Sequence, residues 1–573
     1  MAEQIVSPGV FTRENDQSFI TQQPVELGAA IVGPTVKGPV EIPTIVTSYS
    51  QYENIFGTTF VSASQTYSFL TSISAFNYFQ NGGVSLVVTR VVSGGSAAFS
   101  SATSANIDGH GFGVTNAFAL KTISEGAIMN TGTLDDSGSL SLGTTDNVRF
   151  EITTSNTSSG TFTLNIRRGD DNNNEKVILE TFANVSLDPE QDNYIAKAIG
   201  DTYYQINSDD ANNKYVQTIG EYPNVSKYVY VSAVNNPTPN FFDNNGVAKS
   251  EFTASVPLIQ SGGFSGGTGE TSGSAPALFF DKIDTNTQGL VGSDYDTAFD
   301  LLKNKDEYQY NLITAPGLLH DKHTNQVNTL IQNTQDRGDA IAVVDLEPYG
   351  ALISATTNQA SGINSSYAAA YWPWCQIINP NTGKINWVPA SALIPGVYAF
   401  NDSNAEPWFA PAGINRGGLT QVIRPERKLQ RADRDTLYEA NVNPIANFPA
   451  NGTVVFGQKT LQKKASALDR VNVRRLLIAL KGFIGQVANN LVFEQNTAAT
   501  RNSFLAQVNP YLESVQQRQG VFAFKVVMDD SNNTPDVIDR NQLVGQIFIQ
   551  PTRTAEFIVL DFNVLPTGAE FPA

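Results

Sequence analysis

The spacing of apolar residues changes period several times along the chain, and each change predicts a different element. Gly28-Ala-Ala-Ile-Val-Gly33 is a short unbroken apolar run, as expected of a strand buried on both faces. From Gln65 to Gln80 the apolar residues Phe69, Ile73, Phe76 and Phe79 fall at helical spacing, and Asn81-Gly82-Gly83 ends the helix. Val84 to Val92 is β-prone. The same alternation of strand and helix returns near Ala277: Tyr310–Ala315 predicts a strand, His323–Arg337 a helix closed by Gly338, and Ala340–Asp345 the next strand of a βαβ unit.

Between Ser93 and about Ser274 the texture differs. Gly, Ser, Thr and Asn dominate, and short alternating runs such as Val148–Thr153 appear. Phe162–Ile166 and Lys176–Phe182 flank the polar tip Gly169–Asn174, as in a hairpin. Ser261–Gly269 has the composition of a linker. The most regular signal comes late. Leu477, Leu480, Ile484, Val487 and Leu491 form one helical stripe, with Arg470, Arg474 and Lys481 about 80° from its centre and Gly482 and Gly485 beyond them. A second helix is expected from Asn496 to Gln519, interrupted at Asn509-Pro510. Three β runs follow, at 521–528, 544–549 and 556–564, the last with Ile558, Leu560, Phe562 and Val564 on one face.

These boundaries predict an α+β multidomain chain: an N-terminal arm (1–23), a discontinuous α/β middle domain (24–96 with 275–440), an inserted all-β outer domain (97–274), an inner domain (441–555) and a C-terminal strand or arm (556–573). The N-terminal arm carries Ile5, Val6, Val10 and Phe11 as apolar pairs around Ser7-Pro8-Gly9. A β-prone run at a chain end is suited to completing an exposed sheet edge, its own or a neighbour's.

Composition narrows the function classes. With 54 acidic and 36 basic residues the net charge is −18, which argues against nucleic acid as the main partner. The charge is uneven: Gln421–Ala573 holds 17 basic and 14 acidic residues, leaving 19 and 40 for the first 420. The last 150 residues therefore tolerate an acidic partner. A single cysteine, Cys375, excludes an internal disulfide framework, and no apolar run approaches the ~20 residues of a membrane span. The opening nine residues show no basic and apolar signal pattern, which predicts a chain made in a reducing compartment.

Candidate chemistry is sparse. His320 and His323 lack a further ligand pattern, and His110 lies in a glycine-rich loop. Gly263-Phe-Ser265-Gly-Gly267 spells a nucleophile elbow but lacks the flanking strand and helix that such an elbow needs. Arg168-Gly169-Asp170 is a tripeptide at a hairpin tip. Asp529–Asp536 lacks the glycine and closing glutamate of a calcium loop. No catalytic residue, cofactor or metal ligand is assigned.

Several stretches together resemble the tail sheath proteins of contractile bacteriophages, the T-even-like kind most closely. They are Ser7–Val10, Gly28–Pro34 with Gly38-Pro39, Val388-Pro389 with Pro395–Tyr398 and Asp402, Trp408–Ala412, Asn443–Ile445, Val454–Gly457 with Thr460-Leu461, Val471–Leu476 and Asn532–Asn541. Phe456 stands where tryptophan is expected, and Gln458-Lys459 where the family has a small residue then arginine. The resemblance implies a non-enzymatic polymer: hexameric rings stacked helically around a tail tube, terminal arms adding strands to neighbouring subunits, and contraction on a baseplate signal that drives the tube through the host envelope. It implies as partners further copies of the chain, the tube protein, and the baseplate and tail terminator proteins, with no nucleic acid and no membrane insertion. The implied location is the virion, after assembly in the host cytoplasm. Ile5, Val6, Val10, Phe11, Ile558, Leu560, Phe562 and Val564 become candidate linking residues; Arg470, Arg474, Lys481, Gly482 and Gly485 become a candidate tube-facing surface. The alternatives are a sheath from a non-phage injection system or bacteriocin particle and, in another class, a β-rich adhesin.

Overall fold

The computed structural model describes residues 28–62, 65–93, 102–111, 113–207, 209, 213–267 and 282–558. Its centre is an eight-stranded sheet in the spatial order Thr44–Val46, Leu86–Arg90, Ala29–Gly33, Leu312–Leu319, Ile341–Asp345, Ala368–Trp372, Val442–Phe448 and Gly452–Val455. The six inner strands run parallel, and each outermost strand is antiparallel to its neighbour. A parallel sheet covered on both sides needs strands apolar on both faces. Ala29 and Ile31 accordingly enter one core, and Ala30 and Val32 the other. Helices Tyr49–Phe56, Leu70–Gln80 and Ile394–Asn404 cover the first face; Asp296–Leu302, Thr324–Arg337, Ile353–Gly362 and Arg431–Glu439 cover the second. Gly338, at φ 71°, caps the Thr324 helix in the left-handed conformation.

Three expectations need correction. The helix expected from Gln65 begins at Leu70, because Gln65–Tyr67 pairs with Phe60–Ser62 as a strand. The central sheet runs past residue 440, since Val442–Phe448 pairs with Ala368–Trp372. Finally, Ala498–Gln517 is one helix straight through Pro510. Phe504 and Val508 before the proline and Leu512 and Val515 after it all pack in the same core, and tertiary packing holds the helix where local propensity would break it.

Residues 102–267 contribute a four-stranded antiparallel sheet (Ile178–Ser186, Thr161–Arg168, Val148–Asn156, Gln260–Gly262) and a three-stranded one (Val229–Val234, Phe118–Glu125, Ala102–Ile107) around a core of their own. The hairpin expected around Gly169–Asn174 is present, with Arg167 opposite Ile178. At the mouth of this region Ser104 and Ser265 exchange two backbone hydrogen bonds, of 2.9 and 3.0 Å. Against the central sheet, the buried Arg90 donates from Nη1 to the carbonyls of Gly38 and Glu125, at 2.6 and 2.8 Å.

The last unit pairs helices Val471–Asn489 and Ala498–Gln517 around a fourth core and lays across them a two-stranded antiparallel ribbon, Val521–Val527 with Gln546–Pro551.

Candidate functional site: the basic helix and the open ribbon

The apolar stripe of the Val471 helix does what its spacing predicts: Leu480 and Val487 are buried, and Leu477, Ile484 and Leu491 are half-buried, against Phe504, Val508 and Leu512. The basic residues beside it do not form one free face. Arg474 is buried; its guanidinium lies 3.9 Å from the centre of the Tyr367 ring and donates to Ser366 Oγ at 2.5 Å. Burial lowers its pKa, opposed by Tyr367. Its assignment to a partner-facing surface is therefore corrected: contact with the chain's own Tyr367 occupies it. Arg470 is tied to Asp469 at 3.0 Å and to Glu556 at 2.7 Å. Lys481 alone is exposed, with Nζ 3.3 Å from the Tyr367 hydroxyl. Gly482 and Gly485 are exposed too, and a Cβ built on either meets nothing within 4 Å. Nothing in the described chain approaches these glycines, so the helix surface there is open.

The next residue along the helix start acts inward. Arg475 is buried, ion-paired with Asp402 and 4.6 Å from the centre of the Tyr398 ring, whose hydroxyl lies 2.6 Å from that of Tyr371. This cluster fastens the helical unit to the Ile394 helix and the central sheet. Burial works against the Arg475 charge, but the Asp402 carboxylate together with Tyr398 and Tyr371 outweighs it and the pKa is raised.

The ribbon is half-finished. Among the described residues each of its strands has one neighbour, so each keeps an open edge. Phe524, Val526, Ile547 and Ile549 pack on the helices, while Phe522 and Phe548 face outward at 76% and 56% exposure. Beyond Pro551 the described residues are not a strand, against the expectation for 556–558. Instead Glu556 accepts from Arg470 Nε (2.7 Å), Gln458 Nε2 (3.0 Å) and the Tyr438 hydroxyl (2.8 Å). Ile558 is exposed; Ile5, Val6, Val10, Phe11, Leu560, Phe562 and Val564 lie outside the described residues. Spacing alone did not reveal the Glu556 node. Its one signal was Gln458, which departs from the family pattern at that position.

The remaining candidates are structural. His323 accepts from the Leu319 amide at Nδ1 and faces the Thr285 carbonyl with Nε2, and burial lowers its pKa. His320 pairs with Gln359, and His110 with Ser155. Ser265 sits in the Ser104 bridge, and Arg168 is paired with Asp170. Asp529 closes a turn onto the Ser531 amide and hydroxyl. Trp372, Trp374 and Cys375 are buried, with Cys375 a free thiol. Among the described residues no group of three or more His, Cys, Asp or Glu is placed to hold a metal, and no helix is long and apolar enough to cross a membrane.

Residues 288–461 match the phage tail sheath protein central domain, and residues 463–564 match the phage tail sheath C-terminal domain. Both matched domains are those of phage tail sheath proteins, and they lie one after the other along the chain. The tail sheath protein of Enterobacteria phage T4 is 37% identical over 230 residues, 40% of this chain and 35% of that protein; that of Vibrio phage KVP40 is 37% identical over 234 residues, again 40% and 35%. The match thus spans about a third of the length of these curated relatives. The crystal structure of a sheath tail protein from Listeria innocua superposes with a TM-score of 0.52 at 8% identity, covering 93% of this chain and 96% of that one, a likeness of fold alone. The central-domain match takes in the central sheet from Leu312 to Gly452–Val455, and the C-terminal match takes in both long helices and the ribbon.

Proposed function

We propose that the chain is the structural subunit of a contractile phage tail sheath, and not an enzyme. The observation that carries this is the ordered pair of sheath domains across residues 288–564. Subunits polymerise as stacked hexameric rings around the tail tube, and contraction drives the tube through the host envelope. The polymer is built in the host cytoplasm, ends up in the virion, and meets baseplate and tail terminator proteins at its ends. The inserted region at 97–274 faces outward.

The ribbon supports a linking mechanism. Two open edges, with the exposed Phe522 and Phe548 on the outer face beside them, invite strands from neighbouring copies, and the chain carries two candidate donors, Ile5–Phe11 and Ile558–Val564. About five ladder bonds contribute a net ~0.5–1.5 kcal/mol each. Three or four buried apolar side chains add ~1.5–3 kcal/mol each. Each link is then moderate, and a lattice of them is multivalent. The tube-facing surface narrows to Lys481 with Gly482 and Gly485, where exposed ion pairs of about 0–1 kcal/mol are weak enough to release on contraction.

Negative-stain imaging of the purified full-length chain tests the reading. Hollow tubes or stacked rings are expected, and a protein that stays monomeric at high concentration and in the presence of tail tubes would refute it.

A further inference from the structure

The chain does not leave the ribbon freely at Pro551. Thr552 donates its amide to the Gly520 carbonyl at 3.2 Å. Gln458 then holds Thr554 Oγ1 at 2.5 Å, and Glu556 receives hydrogen bonds from Arg470, Gln458 and Tyr438. These three donors come from the Arg431 helix, the segment following the Gly452 strand and the N-terminus of the Val471 helix, all beside the central sheet. Lys459 adds a second cation, with Nζ 4.4 Å from the centre of the Tyr438 ring. The next two residues change character: Phe557 and Ile558 are 80% and 78% exposed.

We propose that Glu556 is the anchor of the C-terminal arm: residues up to 556 move with the parent subunit, the arm begins at Phe557, and Arg470, Gln458 and Tyr438 are positioning residues for its strand in a second copy of the chain. This rests on the sheath reading above. The anchor sets reach. From Phe557 to Val564 an extended chain spans at most about 28 Å, whereas an arm free from Thr552 onward would span about 45 Å. A shorter tether concentrates the strand at one neighbouring edge. Effective concentration falls roughly as the −3/2 power of length, so releasing five residues dilutes each link about twofold, and more steeply for a stiff tether.

The test is the critical concentration for polymerisation of the full-length chain, read by pelleting and negative stain. Glu556→Ala raises it at least twofold, and the Arg470→Glu/Glu556→Arg exchange returns it toward the wild-type value. Inserting Gly-Ser-Gly-Ser-Gly between Glu556 and Phe557, which lengthens the arm and leaves the anchor whole, raises it to the same degree with an unchanged thermal midpoint. Should Glu556→Ala lower the midpoint, Glu556→Gln and the insertion carry the comparison. Wild-type critical concentration in the insertion variant, or an exchange no better than Glu556→Ala, overturns the anchor. Absence of polymer from the wild-type chain overturns the sheath reading instead.

Discussion

The central sheet and the C-terminal ribbon solve the same problem in opposite ways. The sheet has eight strands, both faces covered by helices, and outer strands that are short and antiparallel to their neighbours. One of its edges is covered as well: Gly413, Gly417 and Leu419 exchange backbone hydrogen bonds with Thr453 and Val455. The ribbon has two strands, one face on the helices, and no cover for its edges among the described residues. A lone two-stranded sheet is marginal in water, so the ribbon depends on the helices beneath it and on whatever pairs with its edges. The sheet makes the subunit a body; the ribbon leaves that body with unsatisfied valence. On the proposed linking mechanism, folding and assembly fall to separate regions of one chain.

Four experiments break or sharpen that contrast. The largest effect is expected from removing residues 1–20: the monomer stays folded on the cores that the described residues build, while sheath polymer is lost altogether. Circular dichroism and electron microscopy read the two halves of this outcome, and normal tubes from the truncated chain would erase the distinction. Next, Ile31→Ala in the sheet should cost about 2–5 kcal/mol of monomer stability by denaturant unfolding, whereas Phe548→Ser on the ribbon's outer face should cost the monomer no more than about 0.5 kcal/mol and still impair polymerisation.

Third, Asp345 ends a central strand with its carboxylate accepting from the Ser391 amide at 3.1 Å and hydroxyl at 2.5 Å, with no ion pair among the described residues. Burial pushes its pKa up to about 6, against the Ser391 hydrogen bonds that favour the charge. The folded state therefore holds this proton at a pH where the unfolded chain, near pKa 3.8, has released it. Stability is fullest below about pH 4 for this group and falls as pH rises to about 6, by up to ~3 kcal/mol. Asp345→Asn should remove that slope: the stability difference between wild type and variant changes across pH 4–6 and is flat above. A pH-independent difference would refute it. The smallest effect belongs to Lys481→Glu, which should leave the melting temperature unchanged and weaken co-assembly with tail tubes by no more than about 1 kcal/mol per subunit.

Where burial is local and continuous, as in Ala29–Gly33, Ile341–Asp345 and the stripe from Leu477 to Leu491, the pattern of residue types already shows the element. The antiparallel sheets within residues 102–267 were legible for the same reason, because texture changes with architecture. Long-range facts were hidden. No periodicity shows that Tyr367, more than 100 positions away, covers the Arg474 charge, or that three distant donors converge on Glu556. Helical-wheel geometry places a residue on a side of its helix and cannot say whether that side meets solvent or another part of the chain. Pro510 makes the same point about breakers: the local cost was visible, and the packing that overrides it was not. For the candidate site, the long helix and the two strands of the ribbon were foreseen, and the partition of the basic residues between internal and outward work was not.

The paired serines at the mouth of the inserted region have a practical consequence. Ser104 and Ser265 face each other across a single antiparallel bridge, which brings the two crossings within about 5.5 Å. A segment whose entry and exit sit side by side behaves as a detachable cassette, since replacing it does not stretch the frame that carries it. Any foreign domain with adjacent termini could be spliced at this port, and in the sheath proposed above it would recur at regular intervals as a display lattice.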